Sequence, residues 1–181
     1  MEEYFDVLSE KGEYTGKIES RKDCHKLGLW HRAVVVFIIS LDNQKVLLQK
    51  RSATKRMWPN LWDVTAGGHV LSGELGYESV IREAKEEIGI TVKEEDLVFL
   101  AVNHHYQADH VQLFFSTNSY EGEPTVCESQ ECGGLLWANL DNLPENTIPY
   151  VANVIEDIKL GIQFDDGDFV NLKSRKAKKI I

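Results

Sequence analysis

Residues 68–90 read GHVLSGELGYESVIREAKEEIGI. Glu83, Glu86 and Glu87 stand at i, i+3 and i+4, a spacing that puts them on one face of a helix. Each like-charged pair at this spacing costs about 0.2–0.5 kcal/mol on an exposed helix. Crowding beside the apolar stripe Leu75, Val80, Ala84 and Ile88 raises that cost unless a cation sits among the carboxylates. Hard oxygen ligands at this density suit Mg²⁺ or Mn²⁺. Gly67 and Gly68 allow a tight turn into the helix and bring a backbone carbonyl close to such an ion. Gly89 provides the stop. The pattern predicts a helix over residues 75–88 with a metal-binding acidic face.

Around this helix the chain reads mainly as strands. Residues 4–8 and 15–20 form a hairpin turned at residues 10–13. Residues 21–29 are polar and rich in Cys and His, and read as a loop or short arm. The β-branched run 33–40 reads as a buried strand, and 45–50 returns antiparallel to it. A basic loop, residues 51–60, leads to a short strand over 62–66. Further strands are expected at 97–103, 111–119 and 134–138. Pro149 opens a second helix running to about residue 160. The resulting expectation is an α/β fold, a mixed sheet sandwiched between helices, with a small N-terminal β-hairpin. The domain divisions expected are a hairpin and arm (1–30), a catalytic domain (31–172) and a basic tail (173–181).

The chain has 181 residues, enough for one full-sized core, and a net charge of −9. That charge argues against a nucleic-acid-coating role. Cys24, Cys127 and Cys132 are an odd set without a CxxC, which suggests neither a disulfide framework nor a zinc ribbon. Reduced cysteines suit the cytoplasm. The start, MEEYFDVLSEKG, is acidic and lacks the apolar core of a signal peptide. The longest apolar run, residues 33–39, is too short to span a bilayer, so no membrane partner is expected. A homodimer is the base-rate expectation for assembly.

The window 68–90 resembles the signature of the Nudix hydrolases: Gly, five residues, Glu, seven residues, Arg-Glu, an apolar residue, any residue, Glu-Glu, any residue, Gly and an apolar residue. Gly68, Glu74, Arg82, Glu83, Ala84, Glu86, Glu87, Gly89 and Ile90 fill these positions in order. The resemblance implies the Nudix fold and hydrolysis of a diphosphate linkage in a nucleoside diphosphate derivative or nucleotide, with Mg²⁺ or Mn²⁺ as cofactor. It favours Glu83 and Glu87 as the main metal ligands, with Glu86 and a carbonyl of Gly67 or Gly68 assisting. A divalent ion there would neutralise a diphosphate and lower the pKa of an attacking water. Glu74 is expected to hold the junction between loop and helix. Arg82 either orients a carboxylate or forms a plain helical pair with Glu78 or Glu86. The general base is left open among Glu83 acting through water, Glu128 and Glu131.

A second likeness covers residues 47–70, LLQKRSATKRMWPNLWDVTAGGHV, which are similar to the isopentenyl-diphosphate isomerases and their hydrolase-like relatives. The cations Lys50, Arg51, Lys55 and Arg56 suit a small-molecule diphosphate. In the isomerases two upstream histidines and the His of a Gly-His pair hold a second metal, and here His25, His31 and His69 take those places. The isomerases carry a catalytic Cys where this chain has Gly67, and a later Glu-x-Glu where it has residues 108–111, ADHV. The expectation is therefore a hydrolase from the isomerase-like branch. The alternatives are an isomerase-like enzyme and a non-catalytic ligand-sensing domain on the Nudix scaffold. His104, His105 and His110 read as polar residues at strand ends. Trp58 and Tyr106 are candidates for stacking on a base.

Overall fold

The structure, a computed structural model, describes residues 2–42, 44–105, 108–159, 164–165 and 177–178. Strand β1 (Tyr4–Leu8) pairs antiparallel with β2 (Tyr14–Ser20) in a separate two-stranded sheet. Helix α1 (Arg21–Leu27) follows at once. Then come β3 (His31–Ser40), β4 (Lys45–Arg51), β5 (Trp62–Asp63) and β6 (Ala66–His69). Helix α2 (Gly76–Ile88) precedes β7 (Val98–His105), β8 (His110–Thr117) and β9 (Cys132–Asn139). Helix α3 (Pro149–Lys159) and two short strands, β10 (Phe164–Asp165) and β11 (Ala177–Lys178), end the order.

Strand β3 organises the main sheet. It runs parallel to β8 and antiparallel to β6, and its last residues, Ile39 and Ser40, pair with Val46 and Lys45 of β4. Strand β4 in turn pairs with β5 and β9, while β8 pairs with β7 and β7 with β10. The continuous apolar run of β3 follows from burial on both faces. Its side chains alternate: Val34, Val36 and Ile38 pack with Val80, Ala84 and Ile88 of α2, while Val35 and Phe37 pack with Val151, Val154 and Ile155 of α3. Each fully buried Val, Leu or Ile contributes about 1.5–3 kcal/mol, so both helices are fixed against the sheet by the same strand. The mixed sheet between helices and the hairpin are those expected from the pattern.

Residues 21–29 depart from the expected loop. Ser20 Oγ accepts the Asp23 N–H at 3.1 Å, and Gly28, at φ 63°, closes the helix in the left-handed region. A seven-residue helix with these two caps buries Cys24 against Phe5. The hairpin is tied to the loop ahead of α2 through Asp6, which accepts from Ser72 Oγ at 2.8 Å and from the Gly73 N–H at 3.2 Å. Helix α1 follows this hairpin directly and packs against both of its strands. No helix among the described residues is long and apolar enough to cross a membrane.

Candidate active site

Helix α2 forms as expected, its first turn held by Glu78, whose carboxylate accepts the Leu75 N–H at 2.8 Å. Glu78 is thus used as a cap. Arg82 reaches instead to Glu74, to Glu83 Oε1 at 2.7 Å, to Glu86 Oε2 at 3.2 Å and to the His69 carbonyl at 2.9 Å. Both Glu74 oxygens accept from Arg82 at 3.1 Å, and Oε2 also accepts from Ser79 Oγ and the Leu71 N–H. Burial alone would raise the Glu74 pKa; the Arg82, Ser79 and Leu71 bonds outweigh it and hold the carboxyl below its ordinary value. Glu74 and Arg82 together clamp the loop to the helix.

Glu83 and Glu87 lie deeper. Burial raises the Glu83 pKa against the opposing pull of Arg82. Burial also pushes Glu87 up to about 7, with the Glu83 charge adding and the Gly67 and Gln49 donors subtracting. Glu87 Oε2 accepts the Gly67 N–H at 3.1 Å and Gln49 Nε2 at 3.0 Å. Gln49 is not a candidate from the sequence; its place on β4 opposite α2 comes from sheet register. A Cβ at Gly68 would fall within the Glu83 carboxylate, so any larger residue there would displace that carboxylate from its present position. A Cβ at Gly67 would lie 2.8 Å from the Val34 carbonyl oxygen, so the backbone leaves no room for the thiol that the isomerases carry.

These groups open on a polar recess of about 780 Å³. Glu83, Glu86 and Glu87 of α2, Arg51 at the end of β4, and Lys55, Glu128 and Glu131 of loops all line it. Lys55 forms an ion pair with Glu131, and the two loops are stitched by the Ser52 N–H to the Glu131 carbonyl at 2.9 Å. Burial and then the Arg51 charge lower the Lys55 pKa. The four cations singled out from the sequence separate here. Lys50 extends over the Trp62 ring, 5.8 Å from its centroid, and the exposed Arg56 is not among the lining residues. Arg21 does line the recess, paired with Glu3 at 2.7 Å. The sequence does not single it out, because residues 21–29 read as a loop and not as α1. Trp58 is exposed on the basic loop, and Tyr106 lies outside the described residues.

Next to the recess, His25 of α1, His31 of β3 and His69 of β6 converge, with one ligand nitrogen from each lying within 4.8 Å of the others. His25 Nε2 and His69 Nε2 are 3.1 Å apart. His31 is only 1% exposed; its Nδ1 is bound to the Leu29 carbonyl at 2.7 Å, which makes Nδ1 the protonated nitrogen and leaves a lone pair on Nε2. That Nε2 is buried without a hydrogen-bond partner among the described residues. Burial, then neighbouring positive groups, lowers the pKa of His25 and takes His69 down to about 2; burial also lowers His31. His104, His105 and His110 lie on β7 and β8 as strand residues.

The site can be set beside known proteins. A family model described as the NUDIX domain matches residues 29–158. The chain is 40% identical over 133 residues to an uncharacterised Nudix hydrolase of Listeria monocytogenes, covering 72% of this chain and 76% of that one. It is 42% identical over 94 residues to Nudix hydrolase 3 of Arabidopsis thaliana, covering 52% of this chain and only 12% of that longer protein. An isopentenyl-diphosphate Delta-isomerase of Halobacterium salinarum is 26% identical, covering 74% of this chain and 66% of that one. A crystal structure from Deinococcus radiodurans superposes with a TM-score of 0.68 at 24% identity, covering 86% of this chain and 99% of that one, and so shares the fold. The matched span contains α2, its arginine clamp and its acidic face, and with relatives named both hydrolase and isomerase the chain belongs to the Nudix hydrolase family.

Proposed function

We propose that the protein is a Mg²⁺- or Mn²⁺-dependent hydrolase of a diphosphate linkage in a nucleoside diphosphate derivative or nucleotide. The observation that carries this reading is that an acidic helix face and the cations Arg51 and Lys55 line one recess. The carboxylates fit a hard divalent ion: Glu83 and Glu87 are raised in pKa by burial, so a cation relieves their desolvation. Glu83, Glu87 and the Gly68 carbonyl would hold it, with Glu86 at the more exposed edge. The ion, when bound, supplies charge neutralisation of the diphosphate and acidifies water. The chain's own groups do the rest. Gln49 and Gly67 fix the Glu87 carboxylate, Arg82 holds Glu83, and Arg51 and Lys55 orient the phosphoryl oxygens. Glu131 becomes available to accept a proton when a phosphate draws Lys55 from it, and Glu128 stands on the same rim.

The decisive experiment is a substrate screen with Mg²⁺ and Mn²⁺ over nucleoside diphosphate derivatives, nucleoside di- and triphosphates and isopentenyl diphosphate, with products identified by mass. Cleavage between two phosphorus atoms of a nucleotide, dependent on the ion, is expected. An allylic isomer formed without phosphate release would replace this reading with the isomerase. Ligand binding without turnover in any arm would replace it with a sensing domain.

A second cation is proposed at His25, His31 and His69. It is supported by the orphaned Nε2 lone pair of His31, by three imidazoles kept neutral, and by a donor set suited to Zn²⁺ or Co²⁺. One equivalent of Co²⁺ is expected to give visible d–d absorption that is lost in His31→Ala and retained in Glu87→Gln. The same spectrum in His31→Ala would exclude the site.

A further inference from the structure

We infer that Asp63 and Tyr150 are positioning residues that aim the Arg51 guanidinium into the recess; this rests on the reading that Arg51 holds the substrate diphosphate. Arg51 ends β4, and two of its nitrogens are already committed. Nε donates to the Met57 carbonyl at 3.0 Å, and Nη1 to Asp63 Oδ2 at 2.9 Å. Nη2 makes no hydrogen bond among the described residues, on a side chain that lines the recess. A guanidinium held at two edges presents its third in one orientation, which is the condition for an oriented hydrogen bond to a phosphoryl oxygen.

Asp63 can impose that orientation because its own carboxylate cannot swing. The residue is 8% exposed, and Oδ1 accepts both the Val64 N–H at 2.8 Å and the Tyr150 hydroxyl. Tyr150 comes from the first turn of α3, on the far side of the sequence. That turn is pinned to β5, where the Ile148 N–H donates to the Trp62 carbonyl and the Trp62 N–H to the Asn146 carbonyl, both at 2.9 Å. Arg51, at the end of β4, is thus set by the loop that follows it, by β5 and, through Asp63, by α3. The other cations of this region are held differently: Lys55 is engaged by Glu131 and Lys50 is turned to Trp62. Arg51 is held by a backbone carbonyl and by a carboxylate that is itself fixed by two donors.

A purely structural ion pair makes a different prediction. Buried pairs of this kind are weak contributors to net stability, and their loss lowers the unfolding midpoint without selectively altering what Arg51 binds. The test uses the full chain with Mg²⁺ and methylenediphosphonate, a non-hydrolysable diphosphate, titrated by calorimetry. Arg51→Gln is expected to weaken binding about 10–100-fold. Asp63→Asn, which keeps the shape and removes the charge, is expected to weaken it about 10-fold or more, and Tyr150→Phe about 3–10-fold. In the double variant Asp63→Asn/Arg51→Gln the loss should equal that of Arg51→Gln alone, because Asp63 acts through Arg51. Unchanged affinity in Arg51→Gln overturns the diphosphate reading and this inference with it. Weakened binding in Arg51→Gln with normal affinity in Tyr150→Phe and Asp63→Asn, or with additive losses in the double variant, overturns the positioning role alone. If Asp63→Asn does not fold, Tyr150→Phe, which keeps the ring in place, decides between these outcomes.

Discussion

Glu87→Gln is expected to remove hydrolysis and, in the metal-free protein, to raise stability at pH 8. Burial, aided by Glu83, lifts the Glu87 pKa to about 7, above its ordinary carboxylate value of 4.5. The folded state therefore binds this proton more tightly than the unfolded chain does. The stability it contributes is fully present below the unfolded pKa and is lost as pH rises toward 7 and beyond. Each pH unit between the folded and unfolded pKa values is worth about 1.36 kcal/mol. With solvent screening of a side chain that is not fully buried, a cost of about 1–3 kcal/mol at pH 8 follows. Glutamine keeps the shape and carries no charge, so its metal-free unfolding midpoint should stand roughly 2–8 °C above that of the parent at pH 8. The two proteins should converge near pH 4.5, where the unfolded carboxylate titrates. Mg²⁺ should stabilise the parent strongly and the variant weakly, since binding to the site is coupled to loss of the Glu87 proton. Turnover should fall at least about 10³-fold, the scale of several kcal/mol of lost charge stabilisation. Thermal unfolding with EDTA at several pH values tests the electrostatic half. Identical pH profiles for parent and variant would show that Glu87 is not the buried carboxylate described.

Arg82→Met is expected to cost about 2–4 kcal/mol of stability as well as activity. Arg82 is bound to Glu74, Glu83, Glu86 and the His69 carbonyl, with its side chain 21% exposed. Methionine fills much of the same space but leaves Glu74 and Glu83 without a counter-charge. Removing one member of a fully buried pair costs about 3–5 kcal/mol; the partial exposure here puts the effect at the lower end. Arg82→Lys should recover less than half of the loss, because a single ammonium cannot serve both Glu74 oxygens, Glu83 and a carbonyl at once. Urea melts give the comparison directly. A change below about 0.5 kcal/mol in Arg82→Met would place Arg82 among ordinary surface pairs. Combining it with Glu74→Gln should restore part of the stability, since the second change removes the stranded charge.

The part of the molecule governed by short-range rules is legible in the chain alone. The 3.6-residue period of Val80, Ala84 and Ile88, closed by Gly89, defines α2, although Leu75, expected on the same stripe, is its exposed N-cap residue; the same period puts Glu83 and Glu87 beside that stripe and Glu86 farther out. The β-branched run marks β3, and Pro149 opens α3 where it does in the structure. Helix α1 escapes such a reading because its seven residues carry too little periodicity; its signals are the caps Ser20 and Gly28.

Which side chains share the recess is a property of the packed fold. Alternation along β4 sends Gln49 and Arg51 toward α2 and the loops but Lys50 to Trp62, and the outcome depends on where the strand begins and which face the helix covers. The signature could name Glu87 but not Gln49, its buried donor 38 residues away. Asp63 and Tyr150 meet across 87 residues, and His25, His31 and His69 meet from three different elements. A local pattern constrains neighbours in the chain, because backbone geometry alone relates them. The direction of a cation or the meeting of three imidazoles is set by sheet register and by the docking of α1 and α3, which only the folded packing resolves.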